Sequence, residues 1–376
     1  MCSHRSRPVP VIIAAAAVTL LLAGCGQAPT HDRIVDLADR TPAPAGGTAG
    51  HTPVSSPVHT TAATPRHTKV SHSPHPHKPP KTTSTTTTSP SPSPTPTSSS
   101  SAPAPTKSST PPPATGNEGV PAFDHVLVVV EENEAANAIY GNSSAPYINS
   151  LADNGAKFTD SFAITHPSEP NYLALFSGST QGVTDDSCPH SFGANNLGNQ
   201  LLASGSSFVG YAEGLPSAGS LVCNDDATNY ARRHAPWTNF SDLPASQVGL
   251  PFSKFPTSYA NLPAVSWVIP NLCDDMHGDT NCSGSVSTAD TWLKQNLGAY
   301  ATWAKSNNSL LIVTFDEGVD ATNNQIATIM YGARVQPGSY SAKITHYSVL
   351  RMIEDANSLP YLGAAQNANP VPDIWN

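Results

Sequence analysis

Three stretches of the chain carry residues able to do chemistry. His166-Pro167-Ser168-Glu169-Pro170-Asn171 precedes the apolar stretch Leu173–Phe176. Asp316-Glu317-Gly318 closes the apolar run Leu310–Phe315, and Glu131-Glu132-Asn133-Glu134 closes Val126–Val130. Carboxylates and an amide just past strand-like segments, with a serine at a helix start, can hold a divalent cation beside an oxygen nucleophile. That is the chemistry of phosphate ester hydrolysis.

Each piece also has a plainer explanation. Charges after a strand often form a solvated loop, yet three acids and an amide placed together repel one another without a cation, and a cation could be held there together with Asp316. Hard oxygen ligands of this kind suit Ca²⁺, Mg²⁺ or Mn²⁺ better than Cu²⁺. Ser168, followed by Glu169 and Pro170, fits a helix N-cap. It equally fits a nucleophile, because free N–H groups and the helix dipole stabilise an alkoxide and an incoming phosphate. Two adjacent acids after a fully apolar strand, then a permissive glycine, serve a site more often than a surface. His277, in Asp274-Asp275-Met276-His277, follows a strand-like run, His234 lies in Arg232-Arg233-His234-Ala235-Pro236-Trp237, and His346 opens a helix. A histidine near its ordinary pKa can protonate a leaving alkoxide or bond a phosphoryl oxygen; alone, each is as readily structural. Arg232 and Arg233 are candidates for substrate contact, with a surface role as the alternative.

The elements that must position these groups are short and apolar. Val126–Val130, Ser207–Tyr211, Ala264–Ile269, Leu310–Phe315 and Ile326–Tyr331 read as buried parallel strands, nearly continuous rather than alternating. Thr288 can cap a helix reaching about Ser306, with apolar Trp292, Leu293, Leu297, Tyr300 and Trp303 on one side. Pro146–Ala156 and His346–Asp355 also read as helices. Alternating strand and helix predict an open α/β fold with a mostly parallel central sheet, whose ligands bind beyond the carboxyl ends of the strands. Glu132, Asn133, Asp316 and Glu317 all fall there.

Residues 1–25 read as a lipoprotein signal: Arg5 and Arg7, a short apolar core Val11–Leu22, then Leu22-Ala23-Gly24-Cys25, which resembles a lipobox. Lipidation at Cys25 would anchor the chain to the outer face of a membrane; ordinary export with an incidental cysteine is the alternative. Residues 26–119 are Pro, Thr, Ser and Ala without apolar periodicity, as in a solvated stalk. Residues 120–376 are long enough for one domain with its own core. From Pro121 onward there are 23 Asp plus Glu against 9 Lys plus Arg, a difference of −14, which argues against a nucleic acid partner. An anionic substrate would need local positive charge, which a bound metal supplies. Cys188, Cys223, Cys273 and Cys282 make an even count in an exported chain, suggesting two disulfides, with Cys273–Cys282 the favoured short loop.

In this order the motifs resemble the bacterial and fungal phosphoesterase family of acid phosphatases and phospholipases C, itself similar to the alkaline phosphatase superfamily. The residues that carry the likeness are Glu132-Asn133, Pro167-Ser168-x-Pro170-Asn171-Tyr172, His234-x-Pro236-Trp237, Asp275-Met276-His277, Asp316-Glu317 and Thr345-His346-Tyr347-Ser348, across Phe123–Glu354. The resemblance implies a three-layer α/β/α sandwich in which Glu132, Asn133, Ser168, Asp316 and Glu317 surround one divalent metal. It implies Ser168 as nucleophile through a phosphoserine, with His234 and His277 holding the phosphoryl group or protonating the leaving group. His346 takes the place of a late metal-ligand histidine. Asn271, where a paired acidic ligand would stand, favours one metal over two. The Pro-Ser-x-Pro-Asn-Tyr form looks more like the acid phosphatase branch than the phospholipase branch, which has a threonine nucleophile. A phosphodiesterase on the same scaffold, a non-catalytic binding lipoprotein and an adhesin on a stalk are the rival readings.

Overall fold

The computed structural model describes residues 119–319 and 323–376. The signal segment, Cys25 and all of the stalk except Gly119 lie outside the described residues. Among those described, no helix is long and apolar enough to cross a membrane.

One eight-stranded sheet organises the domain. Its strands are β1 His125–Glu131, β2 Ala156–Phe158, β3 Phe208–Ala212, β4 Gly249–Pro251, β5 Val265–Ile269, β6 Ser309–Phe315, β7 Thr328–Gly332 and β8 Gly338–Tyr340. They lie side by side in the order β8-β2-β7-β6-β1-β5-β3-β4. Every pairing is parallel except the two made by β7. The sequence therefore misread the last of its five strands: Ile326–Tyr331 was expected to be parallel and runs the other way. A parallel return needs a crossover, usually helical, whereas the described residues between β6 and β7 contain no helix.

The five longest α-helices among the described residues cover the two faces: α1 Pro146–Asp153, α2 Ser168–Ser177, α3 Leu197–Ala203, α4 Val286–Ala304 and α5 His346–Ala356. Alternate residues of β1 look to opposite sides. Val126, Val128 and Val130 share a core with Leu173 and Phe176 of α2 and Leu350 and Ile353 of α5. Leu127 and Val129 share the other core with Ile148 of α1 and Leu293, Leu297 and Tyr300 of α4. The result is the three-layer α/β/α sandwich. Helix α4 starts earlier than the sequence suggested. Ser285, not Thr288, is its cap, and the Ser285 hydroxyl accepts the Thr288 N–H at 3.1 Å. Both cysteine pairs, Cys188–Cys223 and Cys273–Cys282, are disulfide-bonded.

Register does the positioning. Glu131 pairs with Phe315, so the next residues, Glu132 and Asp316, leave the sheet side by side. Two further backbone bonds extend the ladder past the strands: Asp316 N–H to Glu131 O at 3.0 Å, and Glu132 N–H to Asp275 O at 2.8 Å.

Near the end of α5, Glu354 is fully buried, with Oε1 accepting the Leu362 N–H at 2.8 Å. Burial, reinforced by the neighbouring charge of Asp355, pushes its carboxyl up to about 9. The folded state thus keeps a proton that the unfolded chain releases near the ordinary glutamate value. Its contribution to stability is complete below that value and is lost as pH rises through about 9. Glu354→Gln, which keeps the acceptor and cannot ionise, is expected to flatten the pH dependence of the melting temperature between pH 5 and 9, where the carboxyl costs wild type on the order of 1 kcal/mol of stability per pH unit. Parallel thermal melts of the two proteins check it.

Candidate active site

The five residues expected around a cation come together at the carboxyl end of the sheet. Glu132, Ser168, Asp316 and Glu317 are all buried. Asn133 donates its backbone N–H to Asp316 Oδ1 at 3.0 Å and its side-chain amide to Glu132 Oε2 at 2.5 Å. It holds φ of 53°, a left-handed conformation that asparagine tolerates better than most residues. Ser168 is the first residue of α2. The cap position belongs to Pro167, which has no side-chain capping bond, and the Ser168 hydroxyl instead donates to Glu132 Oε2 at 3.3 Å. Asp186 Oδ1 takes over the capping, accepting the Glu169 N–H at 2.9 Å. The serine oxygen is thereby free to face the carboxylates, and of the two readings of Ser168 the helix-cap one does not hold.

Glu317 is gripped by His166 Nδ1 at 2.9 Å and by the Asn171 amide at 3.2 Å. Asn171 Oδ1 in turn accepts the N–H groups of Ile164 and Thr165, both at 3.0 Å. The sequence marks the stretch that holds His166 and Asn171 but gives neither the contact of His166 with Glu317 nor the structural work of Asn171. Their immediate neighbourhood to Ser168 was the signal that could have found them.

His234 is buried between two carboxylates, its Nε2 2.6 Å from Glu132 Oε1 and its Nδ1 3.3 Å from Asp275 Oδ2. The charges of the two carboxylates and their close approach to the ring nitrogens hold the imidazole in place. Tyr172 stacks on it, ring centres 5.0 Å apart, and donates its hydroxyl to Glu132 Oε1 at 3.3 Å. Trp237 anchors this segment by lying flat on β3. A Cβ added to Gly210 would come within 2.3 Å of its ring, so the glycine is required. His277 is exposed at the mouth, 5.9 Å from the His234 ring centre, and follows Met276, which is held at φ 84°. His346 is buried, and its Nε2 meets the backbone carbonyl of Asp316 at 2.6 Å. Burial lowers it to about 4, so the neutral ring donates to that carbonyl and braces the end of β6. Asn271 stands apart, its backbone N–H on Glu213 and its side chain on the Cys273 N–H.

The electrostatics say what the pocket lacks. Burial pushes Asp316 well up, aided by the charges of Glu132 and Glu317. Burial likewise lifts Glu317 to about 8, aided by Glu132 and Asp186. Burial opposes Glu132 as well, but His234 beside it prevails and keeps it ionised; in the same way Glu132 outweighs burial and raises His234. The cluster thus favours charge on Glu132 and His234 together and disfavours it on Asp316 and Glu317. Asp316 Oδ2 is buried with no hydrogen-bond partner. Among the described residues no three His, Cys, Asp or Glu side chains already form a ready cage. An all-oxygen set that includes Ser168 and Asn133, with an orphaned carboxylate oxygen among its members, nonetheless fits a hard divalent cation.

The Phosphoesterase family model matches residues 138–360. The chain belongs to the phosphoesterase family, and so is an enzyme acting on phosphate esters. It is 53% identical over 259 residues to the phosphatidylinositol-3-phosphatase of Mycobacterium tuberculosis, covering 68% of this chain and 84% of that protein. It is 29% identical over 262 residues to a probable acid phosphatase of Kluyveromyces lactis, covering 64% of this chain and 60% of that one. With the acid phosphatase of Aspergillus fumigatus it shares 29% identity over 273 residues, 67% of this chain and 58% of the other. The chain thus spans about three-fifths of both acid phosphatases. Among solved structures, a protein in the alkaline phosphatase superfamily from Vibrio parahaemolyticus aligns at TM-score 0.47 and 12% identity, over 69% of this chain and 72% of that one.

Proposed function

We propose that this chain hydrolyses phosphate monoesters through a Ser168 phosphoenzyme, with one divalent cation held by Glu132, Asn133, Ser168, Asp316 and Glu317. The observation that carries this is the Ser168 hydroxyl, which takes no part in capping its own helix and points at Glu132. When bound, the cation supplies positive charge that lowers the pKa of the serine and offsets charge on the phosphoryl oxygens. Ser168 Oγ attacks phosphorus as the hydroxyl proton leaves along its bond to Glu132. The P–O bond to the alcohol breaks, and His234, the imidazolium held beside Glu132, is the nearest proton source for the departing oxygen. Water then attacks the phosphoserine, giving a proton to the now neutral His234, while the P–Oγ bond breaks and Ser168 recovers its proton from Glu132, releasing inorganic phosphate.

Assaying the full-length protein against an aryl phosphate monoester and diester, with and without chelator, tests this. Chelator-sensitive monoester cleavage is the expected result. Diester preference would move the assignment toward the phospholipase side, and no turnover of either by folded, metal-loaded protein would make a binding role the leading one. Phosphatidylinositol 3-phosphate, the ester in the name of the 53% identical relative, is the first natural monoester to try. The N-terminal segment we take as an exported lipid anchor at Cys25, with a stalk that carries the domain clear of the membrane. Cys25→Ala is expected to move the protein from the membrane fraction to the medium or periplasm; an unchanged membrane fraction would rule the anchor out.

A further inference from the structure

Two adjacent arginines, Arg232 and Arg233, meet opposite fates. Arg232 is consumed by the fold: Nη1 donates to Leu221 O at 2.9 Å, Nη2 to His190 O and Thr238 O at 2.9 Å each, and Nε to Thr238 Oγ1 at 3.3 Å. Arg233 is only partly buried and has one hydrogen-bond contact, Nη2 to His277 Nε2 at 3.1 Å, while its Nε–H is buried without an acceptor. A guanidinium only donates, so Nε2 of His277 must accept. The other side of that ring agrees. His277 Nδ1 lies 2.6 Å from the Gly278 carbonyl, which only accepts, so Nδ1 carries the proton and Nε2 the lone pair. His277 is thus a bracket that holds Arg233 by one corner of its fork and leaves another donor unused.

The charge of Arg233 is felt inside the pocket. It helps to hold Glu132 ionised and draws down the Tyr172 hydroxyl, behind larger effects of burial and of the neighbouring charges. A domain with 23 acids against 9 lysines and arginines has few cations to offer an anionic substrate. A buried, unsatisfied guanidinium donor costs free energy unless an acceptor arrives, and the planar fork matches two oxygens of a phosphate.

We infer that Arg233, bracketed by His277, binds the non-bridging oxygens of the substrate phosphoryl group and makes the site prefer the monoester dianion to the diester monoanion. This rests on the hydrolase reading above and specifies which chemical class of ester the same site selects. A monoester presents three non-bridging oxygens and close to two charges near neutral pH, a diester two oxygens and one charge. A second cation beside the metal therefore gains more from the monoester.

The experiment compares wild type, Arg233→Gln and Arg233→Lys as full-length, metal-loaded proteins. It measures kcat/KM for an aryl phosphate monoester and the corresponding diester, and calorimetric binding of inorganic phosphate. For Arg233→Gln, monoester kcat/KM is expected to fall roughly 10²-fold and diester kcat/KM less than about tenfold, with phosphate Kd rising in step with the monoester loss. Arg233→Lys restores charge without the fork, so it should recover part of the loss, and it carries the test if the glutamine variant melts early. Equal losses on the two esters, or an unchanged phosphate Kd, would overturn the inference. Phosphate binding needs no turnover, so a wild-type chain inactive on both esters would sink the hydrolase reading and still judge Arg233.

Discussion

Ser168→Ala is expected to lower kcat/KM for an aryl phosphate monoester by about 10³-fold or more, while the protein remains folded and still takes up its cation. The side chain is buried and small, with its hydroxyl among Glu132, Asp316 and Glu317, so its removal leaves no large cavity. Because Asp186 caps α2 through the Glu169 N–H, loss of the hydroxyl also leaves the helix start intact. The melting temperature should therefore move little, and a large loss of turnover would belong to the chemistry. A brief reaction of wild type quenched in acid should yield phosphate on Ser168, detectable by peptide mass, and the alanine variant should yield none. If the variant kept within tenfold of wild-type turnover, the nucleophile would have to be a different group.

Asp316→Asn should separate the cation from the fold. Asp316 lies at the end of β6 with Oδ1 on the Asn133 N–H, and Oδ2 buried and unpartnered. Burial, then Glu132 and Glu317, make an ionised carboxyl there unfavourable in the metal-free protein. Asparagine keeps the Oδ1 acceptor and removes the charge, so the metal-free variant is expected to melt at or above the wild-type temperature. Wild type at a cation concentration of about 100 times Kd should gain about 2.7 kcal/mol, roughly 5–10 °C for a domain of this size, and the variant little of it. Activity should drop by about 10²-fold or more, because the charge that organises the serine is lost. A variant that melted early without metal, yet retained the full cation-induced rise, would show Asp316 to be an ordinary core residue.

Much of the fold was legible because it is written in local pattern. β1 and β6 are unbroken apolar runs, as expected of strands covered on both faces, and each ends abruptly in acids. The period of α4 put Leu293, Leu297 and Tyr300 on one buried side, although its start was placed three residues late because Ser285 and Thr288 are both competent caps. The direction of β7 was not legible: the same apolar residues fill a buried strand whichever way it runs, and only the connection decides.

The candidate site divides along the same line. Residue type and position, past a strand or at a helix start, were enough to mark Glu132, Asn133, Ser168, Asp316 and Glu317 as candidates, and the fold brings them together. Which groups touch depends on register between segments far apart in the chain. The bond from Asn133 to Asp316 spans 183 residues, and His166 reaches Glu317 only because Asn171 and the strand end fold over it. That His346 serves a backbone carbonyl, and that Arg232 is spent on the fold while Arg233 keeps a free donor, were decided by tertiary structure alone. Composition selects the chemistry, since a carboxylate or hydroxyl keeps its reactivity wherever it stands. Burial and the available partners assign the roles, because they determine which polar groups are satisfied and which remain open to a ligand.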